Sequence, residues 1–215
     1  MRASISQRID IPGPSGPLQA IVEDTGALAS AFAVICHPHP LHGGTMDNKV
    51  VVSVARALQE QGVSTVRFNF RGVGTSAGSY GGGEGETADA LAVTDWAHAR
   101  WPQLPLVSAG FSFGTFVALR LALARRTRHL ILVAPAVSHF DFAALADPDC
   151  PWLVVQGEDD EVVPADQVLN WARSRPRPPA VVLLPGAGHF FHGQLIELKA
   201  AVTEGIRSDG RRSGD

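Results

Sequence analysis

Six short, nearly uninterrupted apolar runs recur along the chain, at Ala31–Cys36, Val63–Phe70, Leu104–Ala109, Leu130–Val133, Trp152–Gln156 and Val181–Leu184. Runs of this length without polar alternation fit strands buried on both faces, which is the habit of a parallel sheet. Parallel neighbours must be joined by a crossover, and the segments Asp47–Gln61, Glu84–Arg100, Phe113–Arg125, Pro164–Arg173 and Phe190–Ile206 are each long enough to supply a helical one. In the first of them Val50, Val54 and Leu58 share one helical face. The alternation predicts an α/β protein, a three-layer α/β/α sandwich around a mostly parallel sheet, formed as one domain over residues 1–207. Ahead of it, Ser4–Ile11 and Leu18–Asp24 flank a Pro/Gly-rich turn and read as an antiparallel hairpin, while Ser208–Asp215 reads as a frayed polar tail.

Composition narrows the function classes. With 45% apolar and 18% charged residues and a net charge of -3, the 215-residue chain is that of a globular protein and has no basic footprint for nucleic acid. Met1–Pro14 lacks the apolar core of a signal peptide, and no apolar run approaches the ~18 residues of a membrane span. Cys36 and Cys150 are expected as reduced thiols. A cytoplasmic monomer or homodimer acting on a small molecule, without nucleic-acid or membrane partners, is the expectation.

Function is sought at the carboxyl ends of the strands, where open α/β sheets hold their ligands. Gly110-Phe111-Ser112-Phe113-Gly114 follows the third run and opens a helix-like segment. In a strand-to-helix turn this tight, the serine takes a strained conformation, which requires small neighbours two residues before and after. The Ser112 hydroxyl then stands above the sheet edge, next to the free N–H groups of the helix's first turn.

Two further strand ends supply partners. Gly157-Glu158-Asp159-Asp160-Glu161-Val162-Val163-Pro164 places four consecutive acids after the fifth run, and Pro185-Gly186-Ala187-Gly188-His189 places a histidine after the sixth. A serine hydroxyl is a poor nucleophile until a neutral imidazole takes its proton, and an acid must orient that imidazole and stabilise it once charged. Ser112, one of the acids and His189 stand in the chain order that this chemistry uses on such sheets. His192 is the rival base, expected in the first turn of the closing helix.

Acyl transfer also needs N–H donors for the developing oxyanion. Phe113 supplies the first. Within Cys36-His37-Pro38-His39-Pro40-Leu41-His42-Gly43-Gly44 the prolines have no N–H, leaving His39 or Leu41 for the second, with His39 favoured. The alternative use of that loop is a metal site of His37, His39 and His42. The glycine loop from Asn69 to Gly83 has neither a Gly-x-Gly-x-x-Gly fingerprint after the first strand nor a Walker lysine, so no nucleotide cofactor is expected, and Arg71 is expected to brace the loop.

With these residues in place the chain resembles the α/β-hydrolase superfamily over nearly its whole length. Gly110–Gly114 is similar to the nucleophile elbow, Phe70–Ser76 to the Arg-Gly-x-Gly-x-Ser loop, and Gly157–Pro164 to the acid turn. The position of the triad acid within that turn implies Asp160. The His-Pro-His-Pro-x-x-Gly-Gly loop resembles a group of small bacterial hydrolases. The resemblance implies a cofactor-free, metal-free serine hydrolase with Ser112, His189 and Asp160 as triad. The short interval from Pro135 to Pro151 leaves no room for a cap, and Val137 and Phe140 in that interval, one short helix, join Leu41 and Phe111 as expected walls of an open site for short acyl esters.

Overall fold

A computed structural model describes residues 5–209. Strands β1 (Ile5–Gly13) and β2 (Gly16–Asp24) open the chain, followed by β3 (Ala31–Cys36), α1 (Lys49–Glu60), β4 (Val63–Phe68), α2 (Glu84–Arg100), β5 (Leu106–Phe111) and α3 (Phe113–Ala124). β6 (Thr127–Val133), β7 (Trp152–Gly157), α4 (Ala165–Ser174), β8 (Ala180–Leu184) and α5 (Leu195–Asp209) complete it. The eight strands form one sheet in the order β1-β2-β4-β3-β5-β6-β7-β8. β1 pairs antiparallel with β2 and β2 antiparallel with β4, and every other pairing is parallel.

The layers follow from strand periodicity. Ala31, Ala33 and Ile35 of β3 point to one face and are covered by Val50, Val54 and Leu58 of α1, while Leu198 and Val202 of α5 extend the same cluster beside α1, over β7 and β8. Phe32, Val34 and Cys36 point to the other, under Ala90 and Val93 of α2 and Val117 and Leu121 of α3. A third cluster joins Leu130, Leu132 and Val154 to Leu119 of α3 and Val168 of α4. The result is the expected three-layer α/β/α sandwich, with no cap among the described residues. α3 is buried along most of its length because the sheet lies beneath it and α2 and the third cluster flank it. Among the described residues no helix is long and apolar enough to cross a membrane.

Several boundaries differ from expectation. β4 stops at Phe68 rather than Phe70: the Asn69 N–H still reaches the Gln19 carbonyl of β2 (2.8 Å), but the Phe70 N–H leaves the sheet for the His37 ring (3.0 Å). β5 starts at Leu106 and runs on to Phe111, so the first half of the elbow is strand. The closing helix begins at Leu195, not Phe190, since Phe191 (φ 52°) and Gly193 (φ 75°) adopt left-handed conformations that a helix cannot contain. The connection 134–151 is a succession of turns without the short helix expected there. The expected frayed tail lies outside the described residues beyond Asp209, and Ser208 and Asp209 finish α5.

Candidate active site

Ser112 sits between β5 and α3 at φ 52° and ψ -120°, a region that non-glycine residues avoid. Its N–H donates to the Val133 carbonyl of β6 (2.9 Å), which ties the turn to the neighbouring strand. The flanking glycines answer separate needs. A Cβ at Gly110 would lie 2.2 Å from the Gly114 carbonyl oxygen, so this glycine lets the chain double back. A Cβ at Gly114 would lie 2.3 Å from the Cys36 carbonyl oxygen and 2.6 Å from that of His37, so the second glycine lets α3 rest against the end of β3. That second reason involves a strand far away in sequence and is invisible locally.

The three strand ends meet as expected. His189 Nε2 lies 3.0 Å from Ser112 Oγ, and His189 Nδ1 lies 2.9 Å from Asp160 Oδ2 and 3.1 Å from Oδ1. Asp160 also accepts the N–H groups of Val162 (2.9 Å) and Val163 (2.7 Å) on Oδ1 and the Gln156 amide (2.9 Å) on Oδ2. Burial pushes the Asp160 carboxyl up, but the His189 hydrogen bond and these backbone donors outweigh it and leave the group below its ordinary range. An ionised Asp160 only accepts, so the network assigns the ring proton to Nδ1 and leaves the Nε2 lone pair facing the serine hydroxyl. The arrangement can take a proton from Ser112 and return it to a leaving group.

The four acids of the turn divide their work. Asp160 is buried, Glu161 accepts the His189 N–H on its side chain (3.2 Å), and Glu158 and Asp159 turn their side chains to solvent while their N–H groups bond the Leu184 and Ala187 carbonyls, each at 3.0 Å. Two supports escaped sequence reasoning. Gln156, fully buried at the end of β7, also donates to the Val163 carbonyl (3.0 Å) and so fixes the turn that carries Asp160. Its signal was an amide inside an otherwise apolar run next to the acids. Phe191, fully buried at positive φ, anchors the loop just past His189, and its N–H reaches the Gly188 carbonyl (3.0 Å). His192 is exposed in a turn rather than helical, its ring stacked on Phe190 with centroids 5.9 Å apart.

Phe113 begins α3, so its N–H has no intrahelical acceptor. Of the two candidates for the second donor, the Leu41 N–H is engaged by His39 Nδ1 (3.2 Å), whereas the His39 N–H has no acceptor among the described residues. His37 is structural. Its Nε2 accepts the Phe70 N–H (3.0 Å) and its Nδ1 bonds the Pro38 carbonyl (2.6 Å), and burial pushes its pKa down to about 4. With both ring nitrogens spent, His37 cannot join His39 and His42 as a metal ligand, and no cluster of three or more His, Cys, Asp or Glu side chains suited to a metal occurs among the described residues. Arg71 braces the glycine loop, its guanidinium gripping both carboxylate oxygens of buried Asp89 (3.0 and 2.8 Å).

The four residues expected to line the site are placed unequally. Leu41, in the 3-10 turn Pro40–His42, is 68% exposed, and Val137 and Phe140 are half-buried in the turns after β6. Phe111 is a correction. As the last residue of β5 it points into the α1/α5 layer, is 1% exposed and supports the His189 ring from 5.2 Å, so it offers no face to a ligand.

Residues 38–145 match the family model described as serine aminopeptidase, S33. A solved structure from Xanthomonas campestris, XC6422, described as an α/β serine hydrolase without lid, superposes with a TM-score of 0.90 at 44% identity over 94% of each chain. A Rickettsia prowazekii protein, RP471, is 33% identical over 89% of this chain and 85% of its own length. The Macaca fascicularis protein named lysophosphatidylserine lipase ABHD12 is 33% identical over 64% of this chain, a match that spans only 44% of that relative. The serine-bearing turn, the capless sheet and these likenesses place the chain in the α/β-hydrolase superfamily, among its serine hydrolases of the S33 family.

Proposed function

We propose that the protein is a carboxylesterase-like enzyme for small, short-acyl esters, with Ser112, His189 and Asp160 as its catalytic triad. The observation that carries this reading is the unbroken chain from Ser112 Oγ through His189 to a buried, ionised Asp160 (3.0 and 2.9 Å). Ser112 Oγ attacks the substrate carbonyl carbon as its proton passes to His189 Nε2, and Asp160 stabilises the imidazolium. The N–H groups of Phe113 and His39 hold the oxyanion. Collapse expels the alcohol, which takes the proton from His189, and leaves an acyl group on Ser112. Water, deprotonated by His189, then attacks the acyl carbon and releases the acid and free serine.

Ester bonds are preferred over peptide bonds because the turns 134–151 leave Ser112 without a lid, which suits a substrate reactive enough to need little exclusion of water. A relative named as a lipase supports the same choice.

The test is labelling of the purified chain with a fluorophosphonate probe, the modified residue being located by mass spectrometry, together with hydrolysis of acetate to octanoate esters and of an alanine anilide. Stoichiometric modification of Ser112, abolished in Ser112→Ala and His189→Ala, with acetate or butyrate esters turned over faster than the anilide, is the expected result. A folded chain that takes up no label refutes the triad, and faster anilide cleavage refutes the choice of esters.

A further inference from the structure

Three loops each carry one aromatic ring to Phe113, the residue after Ser112. His39 follows β3, Tyr80 lies in the glycine loop after β4, and Phe140 lies in the turns after β6. All three meet Phe113, the residue after the serine, at centroid distances of 5.1, 5.9 and 5.1 Å. His39 also contacts Tyr80 (4.8 Å) and Phe140 (6.2 Å), and Phe140 stacks on Phe116 (5.3 Å, 29°). Phe113 and Phe116 form a closed floor at 1% and 8% exposure, whereas the three converging rings are only half-buried.

These rings are held rather than loosely gathered. Glu86 of α2, fully buried, accepts the N–H groups of Gly81 (2.8 Å) and Gly83 (2.7 Å), clasping the backbone directly after Tyr80. Gly83, at φ 98°, lies so close to the floor that a Cβ there would meet the Phe116 ring at 3.0 Å. The His39 ring is pinned by the Leu41 N–H and stacked by His42 at 4.5 Å and 21°. Burial and the neighbouring His42 hold His39 below the ordinary histidine pKa, which disfavours a charge on this ring. The Tyr80 hydroxyl makes no hydrogen bond among the described residues.

We infer that His39, Tyr80 and Phe140 form an aryl subsite beside Ser112, built to take the aromatic ring of an ester substrate, with the Tyr80 hydroxyl free to bond a polar substituent on it. Rings prefer offset or edge-to-face partners at centroid distances of about 4.5–7 Å, a quadrupole effect that a saturated ring of the same size does not share. Preformed rings also cost little ordering on binding. The inference rests on the esterase reading for its substrate, but the subsite itself is testable without turnover.

The experiment compares matched esters with non-aromatic leaving groups, methyl 3-phenylpropanoate against methyl 3-cyclohexylpropanoate and benzyl acetate against cyclohexylmethyl acetate, followed in a pH-stat. In parallel, the same esters are titrated into Ser112→Ala by NMR. The expected result is an aryl preference of about threefold or more in kcat/KM and in affinity for at least one pair, retained in Tyr80→Phe and reduced towards unity in both Tyr80→Leu and Phe140→Leu. Equal or reversed preference in both pairs, or a preference that survives both leucine variants with their thermal melting unchanged, overturns the subsite. Wild-type chain without turnover or fluorophosphonate label, but with the aryl preference present in Ser112→Ala binding, refutes the esterase reading and leaves the subsite standing.

Discussion

Asp160 and Asp159 are adjacent, chemically identical and oppositely placed, which makes them the sharpest comparison at the scale of single residues. Asp160 touches the His189 ring, whereas Asp159 turns its side chain to solvent. Asp160→Asn is therefore expected to lower kcat by roughly 10³–10⁴ through loss of the correct tautomer and of charge stabilisation, with Asp159→Asn within about twofold of the parent. Steady-state kinetics on one short-chain ester checks both, and the reverse order would remove Asp160 from the triad. The pH profile belongs to the same residues. Hydrogen bonds hold the Asp160 carboxyl below its ordinary range, so it is still ionised where an imidazole gains its proton. Activity is expected to fall with acidification as a single proton binds to the base, because a protonated imidazole cannot accept the serine proton, and kcat/KM against pH should show one acid limb of unit slope. A profile flat to about pH 4 would exclude a histidine base.

At the scale of elements, the decisive contact is the start of α3 against the end of β3. Gly114→Ala places a methyl 2.3 Å from the Cys36 carbonyl oxygen, a backbone atom that cannot rotate away. The helix must retreat, and the variant is expected to lose about 3 kcal/mol in urea unfolding and most of its activity, since α3 carries the Phe113 N–H. Gly114→Ala with parental stability would show that α3 does not depend on this approach. The positions of the strands and most helices were legible because their apolar runs are continuous and their lengths ordinary. The late start of α5 was not. Its cause is the left-handed backbone at Phe191, which serves to hold the His189 loop and has no signature in a phenylalanine side chain.

For the whole molecule, His37 links the site to stability. Buried at the end of β3 with both ring nitrogens bonded, it keeps a folded pKa of about 4 against an ordinary 6.5. The unfolded chain binds the proton first, so the stability present above pH 6.5 is lost as the pH falls towards 4, by about 3 kcal/mol in total. Urea unfolding at pH 7.5 and 4.5 should show a loss of that order, ahead of most carboxylate titration, and a free energy unchanged across the window would place His37 in water rather than in the core.

The sequence by itself determined the three-layer architecture, the order of the elements and, to within about two residues, where the strands stop, because hydrophobic periodicity and glycine placement act locally. It also pointed to Ser112, and to His189 ahead of its rival His192. Tertiary structure decided what depends on approach between distant segments. It separated Asp160, buried under Gln156 and His189, from its equally charged neighbours, and spent the His37 ring on the Phe70 N–H so that it cannot ligate a metal. It turned Phe111 into the layer beneath the site, and it brought His39, Tyr80 and Phe140 around Phe113. Those outcomes are set by distances across the sheet, between residues whose spacing along the chain carries no record of them.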